Sequence, residues 1–330
     1  MAWTGRRSRP KGRLQDARRK RRAMASRHSA LSYEHAVKIE APLKAEVADL
    51  MAKAEAADTA DVPDGMSIPD ERGRREERLR KLAVAKATIE ARAQERHARE
   101  MAEHEAKMAA REAKIAATGK KPGGKPPAPP VEGPPPTDQV NLTDEQSRIM
   151  PVAGGGFDPC YNAQAAVAAG SLLVVATDVV QAPNDKNQVE PMLEKIGALP
   201  EALGEVEHLL ADTGYFSAGN VEACQKAGVE PVIAMGRQPH HPPLSERFEK
   251  TPDAPKDPTT VEAMAHKLKT PEGRALYALR KQTPEPVFGI IKSVLGFRQF
   301  SRRGLDKVRG EWSLVTMAWN LKRMFVLAPA

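Results

Sequence analysis

Three acidic residues stand where a carboxylate can do chemistry. Asp212 closes the run Leu209-Leu210-Ala211-Asp212-Thr213-Gly214-Tyr215-Phe216-Ser217, an apolar strand followed by a Gly turn and a Ser suited to capping a helix. The C-terminal end of a strand is where α/β sheets hold their ligands. Asp144 ends a second expected strand, Val140-Asn141-Leu142-Thr143-Asp144. Glu285 lies in Arg280-Lys281-Gln282-Thr283-Pro284-Glu285-Pro286-Val287-Phe288-Gly289, at the start of a helix whose first turn suits Pro286. Lys292 follows two turns later on the same face. Such oxygens suit hard Mg²⁺, which takes a few carboxylates together with water and substrate phosphate. Two ions roughly 3.5 to 4 Å apart would activate an attacking oxygen and stabilise a leaving one in a displacement at phosphorus. Taken alone, Asp212 reads as a turn or helix N-cap residue, and Asp144 is no more specific. Asp178 and Asp185, which flank another expected strand, are alternatives to Asp144 as the first acid.

The elements that must position these residues are those of an α/β domain. Strands are expected at 139–143, 161–168, 172–179, 208–211 and 230–235, and helices at 186–196, 218–227, 270–296 with interruptions, and 305–326. Turns at Gly154 to Gly156 and at Ala169-Gly170 would let the first three strands pair as an antiparallel meander. The fourth, arriving after a helix, joins in parallel through a right-handed crossover. Trp312, Val315 and Trp319, at i, i+3 and i+7, mark the buried face of the last helix.

The first half of the chain has a different texture. Residues 1–22 carry ten Lys or Arg against the single acid Asp16, which reads as a disordered basic arm or a phosphate-contacting one. Residues 32–57 and 69–117 are rich in Ala, Glu, Lys and Arg and should form two long helices. In the second, Glu76/Arg80, Glu77/Lys81, Glu95/Arg99 and Glu103/Lys107 stand at i,i+4. Its thin apolar stripe (Leu82 and Ile89; Met101, Met108 and Ile115) predicts a helical hairpin or coiled coil turning at 61–70. Residues 122–136 hold eight prolines and read as a semi-rigid linker. The expected organisation is a basic disordered arm at 1–30, a helical hairpin at 31–118, a linker at 119–137, and a catalytic domain at 138–327 with a Pro-rich insertion at about 237–268.

Composition narrows the partners. Lys and Arg number 51 against 43 Asp and Glu, a net charge of +8, which favours nucleic acid first and an anionic membrane surface second. Cys160 and Cys224 are far apart, against a disulfide framework or a cysteine zinc site and in favour of a cytoplasmic setting. No apolar run approaches the roughly 20 residues of a membrane span. His240-His241 lacks companions at zinc spacing and reads as a surface loop.

Taken as a set, Asn141 to Met150 (NLTDEQSRIM), Tyr161-Asn162-Ala163-Gln164, Asn184-Asp185-Lys186, Ala211 to Phe216 (ADTGYF) and Thr270 to Gly289 (TPEGRALYALRKQTPEPVFG) resemble the DDE transposases of bacterial insertion sequences. The resemblance is dense over 137–327 and looser over the helical region. It implies an RNase H-like mixed sheet flanked by helices, preceded here by the helical arm, and metal-dependent cleavage and strand transfer of DNA at insertion-sequence ends. It implies the triad Asp144, Asp212 and Glu285, with Asp144 bridging two Mg²⁺ ions and Mn²⁺ able to substitute. The family's Tyr-Arg-Glu-Lys signature falls on Tyr277, Arg280, Glu285 and Lys292, the cations steadying DNA phosphates. Arg280 is one residue further from Glu285 than in familiar relatives, so Lys281 is an alternative. Tyr277 would stack on a base or sugar, or serve as a core tyrosine. Arg302, Arg303, Lys307, Arg309, Lys322 and Arg323 offer a DNA surface or a solvated rim.

The implied partners are double-stranded DNA, as terminal inverted repeats and target, and a second copy of the chain in a homodimer on DNA. No membrane is implied, and the setting would be the bacterial nucleoid. Two departures stand out. Ala168 replaces an Asp common in the family, and no helix-turn-helix precedes the basic segment, so the chain is expected to be N-terminally truncated. Asp158 is expected in a loop. Rival functions are a catalytically idle DNA-binding or assembly remnant and a structure-directed nuclease of the same fold.

Overall fold

Residues 12–22 of the basic N-terminal block form a strand, which changes the architecture the sequence suggests. The computed structural model describes residues 12–55, 67–121, 123–152, 155–200, 204–236 and 253–328. It divides into two compact units, residues 1–24 together with 147–330, and residues 25–146. The helical unit is thus inserted in the chain after the first strand of the other.

The larger unit is built on a six-stranded sheet of β1 (Gly12–Arg22), β4 (Arg148–Pro151), β5 (Phe157–Ala168), β6 (Val174–Val180), β7 (Val206–Ala211) and β8 (Glu230–Ile233). Strand β5 is long enough to pair with β1 along one edge and with both β6 and β4 along the other. The path continues from β1 to β7 and β8, both parallel to it. The order β6-β5-β1-β7-β8, with only β5 running against its neighbours β1 and β6, is RNase H-like. Helices α3 (Val189–Gly197) and α4 (Ala218–Lys226) connect β6 to β7 and β7 to β8. After β8 come α5 (Thr260–Lys269), α6 (Pro271–Gln282), α7 (Pro284–Ser293) and α8 (Leu305–Leu327). The expected Pro-rich insertion at 237–268 therefore contains most of α5, while 237–252, with His240-His241, lie outside the described residues.

A strand this basic needs its neighbours. Leu14 to Arg22 pair with Ala168 to Cys160 on one side, and Gly12 to Gln15 with Val206 to Leu210 on the other. Its backbone is thus paired with β5 along most of its length and with β7 over its first residues. Arg21 is buried, with its guanidinium 5.3 Å over the Phe297 ring and 5.8 Å over Trp312, donating to the Phe297 carbonyl. Arg22 pairs at 2.7 Å with Asp158, which lies buried on β5 and not in a loop. Of the last helix's expected buried face, Trp312 and Trp319 are buried and Val315 is half-buried. Asn320 closes the outer edge of β6, accepting from the Val174 amide at 2.8 Å and donating to its carbonyl at 2.7 Å.

The inserted unit holds β2 (Ala30–Ser32), α1 (Tyr33–Glu55), α2 (Ile68–Thr118) and β3 (Gln139–Asn141). Ser67 caps α2 by accepting from the Asp70 amide, Pro69 occupies its first turn, and Gly119 ends it in the left-handed conformation at φ 66°. Ala36 of α1 meets Leu82, Ala85 and Ile89 of α2 over Leu31 and Val140. The Lys86–Glu40 and Arg75–Glu46 pairs, at 2.5 and 2.7 Å, cross between the helices. Part of the expected turn, 61–66, lies outside the described residues.

Two expectations change here. The Pro-rich stretch belongs to this unit and runs back beside α2. There His104 Nε2 lies 3.2 Å from the Pro127 carbonyl, Arg111 donates to that of Gly124 at 3.1 Å, and Met101, Met108 and Ile115 are half-buried. Strand β3 pairs with β2 in a separate two-stranded sheet and is not the first strand of the large one. That place belongs to β1.

Candidate active site

Asp212 directly follows β7. Its Oδ1 accepts the Thr213 amide at 2.7 Å, capping the 3₁₀ turn Thr213–Tyr215 and fixing the carboxylate to that turn. Its Oδ2 faces the Arg280 guanidinium of α6, 3.6 Å away. Arg280 in turn lies over the Tyr277 ring, 5.3 Å from its centroid. Burial pushes the Tyr277 hydroxyl above its ordinary value; Arg280 opposes that shift, and the charges of Asp212 and Glu285 add to it. Both carboxylates therefore act on one hydroxyl.

Glu285 stands exposed in the first turn of α7, after Pro284, where the amide ends of the helix favour a negative charge. The helix is held by Phe288, whose ring stacks on Trp312 of α8 with centroids 5.7 Å apart. Lys292 is exposed in its last turn. The Lys281 side chain lies outside the described residues.

The structure thus brings Asp212, Tyr277 and Arg280 together, with Glu285 near enough for its charge to act on Tyr277. It does not carry Asp144 on the sheet with them: Asp144 follows β3, buried in the inserted unit, its amide bonded to Asn141 Oδ1 at 3.2 Å. The expectation that Asp144 ends the first strand of the catalytic sheet is corrected by the pairing of β3 with β2. Asp178 is on β6, separated from β7 by two strands, and paired with Lys195 and Arg309 at 2.8 and 3.1 Å.

The residue that the sequence reading passed over is Asp16. In β1, Gln15 is level with Leu210 of β7, so one step further along these parallel strands the Asp16 backbone is level with Ala211, the residue before Asp212. On its other side Asp16 is opposite Ala166 of β5. Its singularity as the one acid among ten cations was the available signal.

A model of the transposase DDE domain matches residues 130–321, more than half of the chain. The chain belongs to the transposase DDE domain family. No curated protein and no solved structure matches it. Membership makes this transposase domain a member of a group of nucleic-acid-cleaving enzymes that use divalent metal ions. The match begins downstream of β1, so Asp16 lies outside it. Among the described residues no three His, Cys, Asp or Glu side chains converge on a metal position. The donor set nonetheless suits a hard divalent ion, since Asp212 and Glu285 are exposed carboxylates that offer oxygen donors. No described helix is long and apolar enough to cross a membrane.

Proposed function

We propose that this transposase domain cleaves DNA at the ends of an insertion element and joins the freed 3′ ends to target DNA, using Asp16, Asp212 and Glu285 to hold its divalent ions. The observation that carries the reading is the site around Tyr277, where Asp212 at a strand end and Glu285 at a helix start share one neighbourhood with Arg280. The parallel register of β1 against β7 supports Asp16 as the third acid. Divalent ions bound there would lower the cost of an oxyanion attacking and leaving phosphorus.

The chain's own groups then have distinct tasks. The Thr213 amide fixes one oxygen of Asp212 and leaves the other for an ion. Arg280, a planar cation beside that carboxylate, is suited to a DNA phosphate brought in by the substrate. Tyr277 presents a half-buried ring to a terminal base or sugar. Lys292, exposed at the far end of α7, meets phosphate further along the strand. A second copy of the chain on paired DNA ends would complete the reaction.

The test is incubation of the protein with a plasmid carrying the inverted repeats that flank its coding sequence, in Mg²⁺ or Mn²⁺. Nicking at the repeats followed by strand joining is expected, with Asp16→Asn, Asp212→Asn and Glu285→Gln each lowering the rate at least about 1000-fold, the scale of a lost transition-state contact. Asp144→Asn should stay within about tenfold of the parent. A fully active Asp16→Asn protein would overturn the triad, and absence of any cleavage would overturn the activity.

A further inference from the structure

Two motifs in the sequence, Tyr161-Asn162-Ala163-Gln164 and Asn184-Asp185-Lys186, take no part in the chemistry above. Three of their polar side chains, Asn162, Gln164 and Asp185, are nevertheless buried together. Asn162 and Gln164 of β5 are fully buried and donate to Asp185 Oδ1 at 2.8 and 3.1 Å. Gln164 Oε1 accepts the Tyr215 hydroxyl at 2.5 Å. Asn220 of α4 clamps the same region, donating to the carbonyls of Tyr215 and Lys186 at 2.6 and 2.7 Å.

A well-packed apolar core would serve stability as well as such a chain of polar groups, because burying them yields little net free energy even when they are bonded. What such a network adds is one fixed arrangement of the groups it bonds. Here the arrangement ends on the turn that carries Asp212. The Tyr215 amide bonds the Asp212 carbonyl at 3.0 Å, and the Thr213 amide holds its carboxylate, so any rotation of the turn rotates the acid.

The backbone of Gln164 also borders the elements that carry the other two proposed ligands. Its backbone is opposite Arg18 of β1, two residues along from the Asp16–Ala166 pair. Its carbonyl accepts the Trp312 indole N–H at 2.9 Å, and Trp312 is the ring on which Phe288 of the Glu285 helix stacks.

We propose that Gln164, through Tyr215 and supported by Asn162, Asp185 and Asn220, is the positioning residue that holds Asp212 in register with Asp16 and Glu285 for metal binding. The proposal rests on the reading of Asp212 as a metal ligand, and the experiment separates the two. Mn²⁺ binding by the full chain is measured from the free-ion paramagnetic resonance signal at a temperature where thermal melts show every variant folded. The variants are Asp212→Asn, Tyr215→Phe, Gln164→Met and the Tyr215→Phe/Gln164→Met double.

Tyr215→Phe removes one hydroxyl and should weaken Mn²⁺ binding roughly tenfold, the usual effect of losing a group that orients a ligand. Gln164→Met should weaken it at least as much, and the double variant no more than Gln164→Met alone, since both act through one link. Unchanged binding in Asp212→Asn would overturn the ligand reading itself. Weakened binding in Asp212→Asn alongside parental affinity in the folded Tyr215→Phe and Gln164→Met proteins would overturn the positioning role, even if their melting temperatures fell. Additive losses in the double variant would overturn the proposed link between Gln164 and Tyr215.

Discussion

At the residue scale, Asp212 shows how a turn residue becomes a candidate ligand. Its N-cap geometry is real, with Oδ1 on the Thr213 amide, and that bond is what aims Oδ2 at Arg280. The capping reading and the functional reading are thus two ends of one carboxylate. Tyr277 reports on the site without entering the chemistry. Burial, Asp212 and Glu285 raise its hydroxyl's affinity for a proton, and Arg280 lowers it. Replacing Arg280 by Gln removes the opposing charge, so the tyrosine should ionise at a still higher pH. Ultraviolet titration of the tyrosinates checks this, and an unchanged midpoint would show that Arg280 does not act on Tyr277.

At the scale of elements, the corner between α5 and α6 and the seam of the helical hairpin each rest on one feature. Gly273 lies in the first turn of α6, and a Cβ there would sit 1.9 Å from the Lys267 carbonyl oxygen. Gly273→Ala must open the corner and should cost about 1 to 3 kcal/mol, the range for forcing atoms into a packed site. Denaturant melts measure that loss, and because α6 carries Tyr277 and Arg280, activity should fall with it.

In the hairpin, Lys44 and Lys86 hydrogen-bond Glu40 and hold its carboxyl at about 2, below the ordinary 4.5. A carboxyl depressed in the folded state contributes stability above its unfolded value and loses it as pH falls through the folded one. Glu40→Gln should therefore lower the melting temperature at pH 7, with the difference from the parent shrinking below about pH 4.5 and vanishing near 2. A difference independent of pH would remove the ion pairs as its cause. The helices themselves were readable from composition and caps, as Ser67, Pro69 and Gly119 illustrate. The partner of the second half of α2 was not, because a Pro-rich segment without regular structure leaves no periodic signal.

At the scale of the whole molecule, the helical unit interrupts the RNase H-like sheet in sequence without breaking it. Arg22 at the end of β1 and Arg148 at the start of β4 are both opposite Cys160 of β5, on its two sides. Two strand spacings separate them, about 10 Å. Replacing residues 25–146 by a short Gly/Ser linker should leave the sheet folded, and circular dichroism with a cooperative melt would establish that. Deleting residues 1–24 should instead unfold the larger unit, since it removes the strand between β5 and β7. A dispensable basic arm would give the opposite result.

The sequence by itself determined the α/β class, most of the strands and helices from β5 onward, the family resemblance, and the places of Asp212 at a strand end and Glu285 at a helix start, because each is written in local periodicity, turn chemistry or a short motif. It did not determine which strand is first. The run of Lys and Arg in its sequence hides β1 from a search for apolar strands, and it pairs with β5 and β7, partners that follow more than 130 residues later. Only the tertiary structure could bring Asp16 beside the end of β7 and leave Asp144 in the inserted unit, because strand pairing is a relation between distant segments and no local pattern records it.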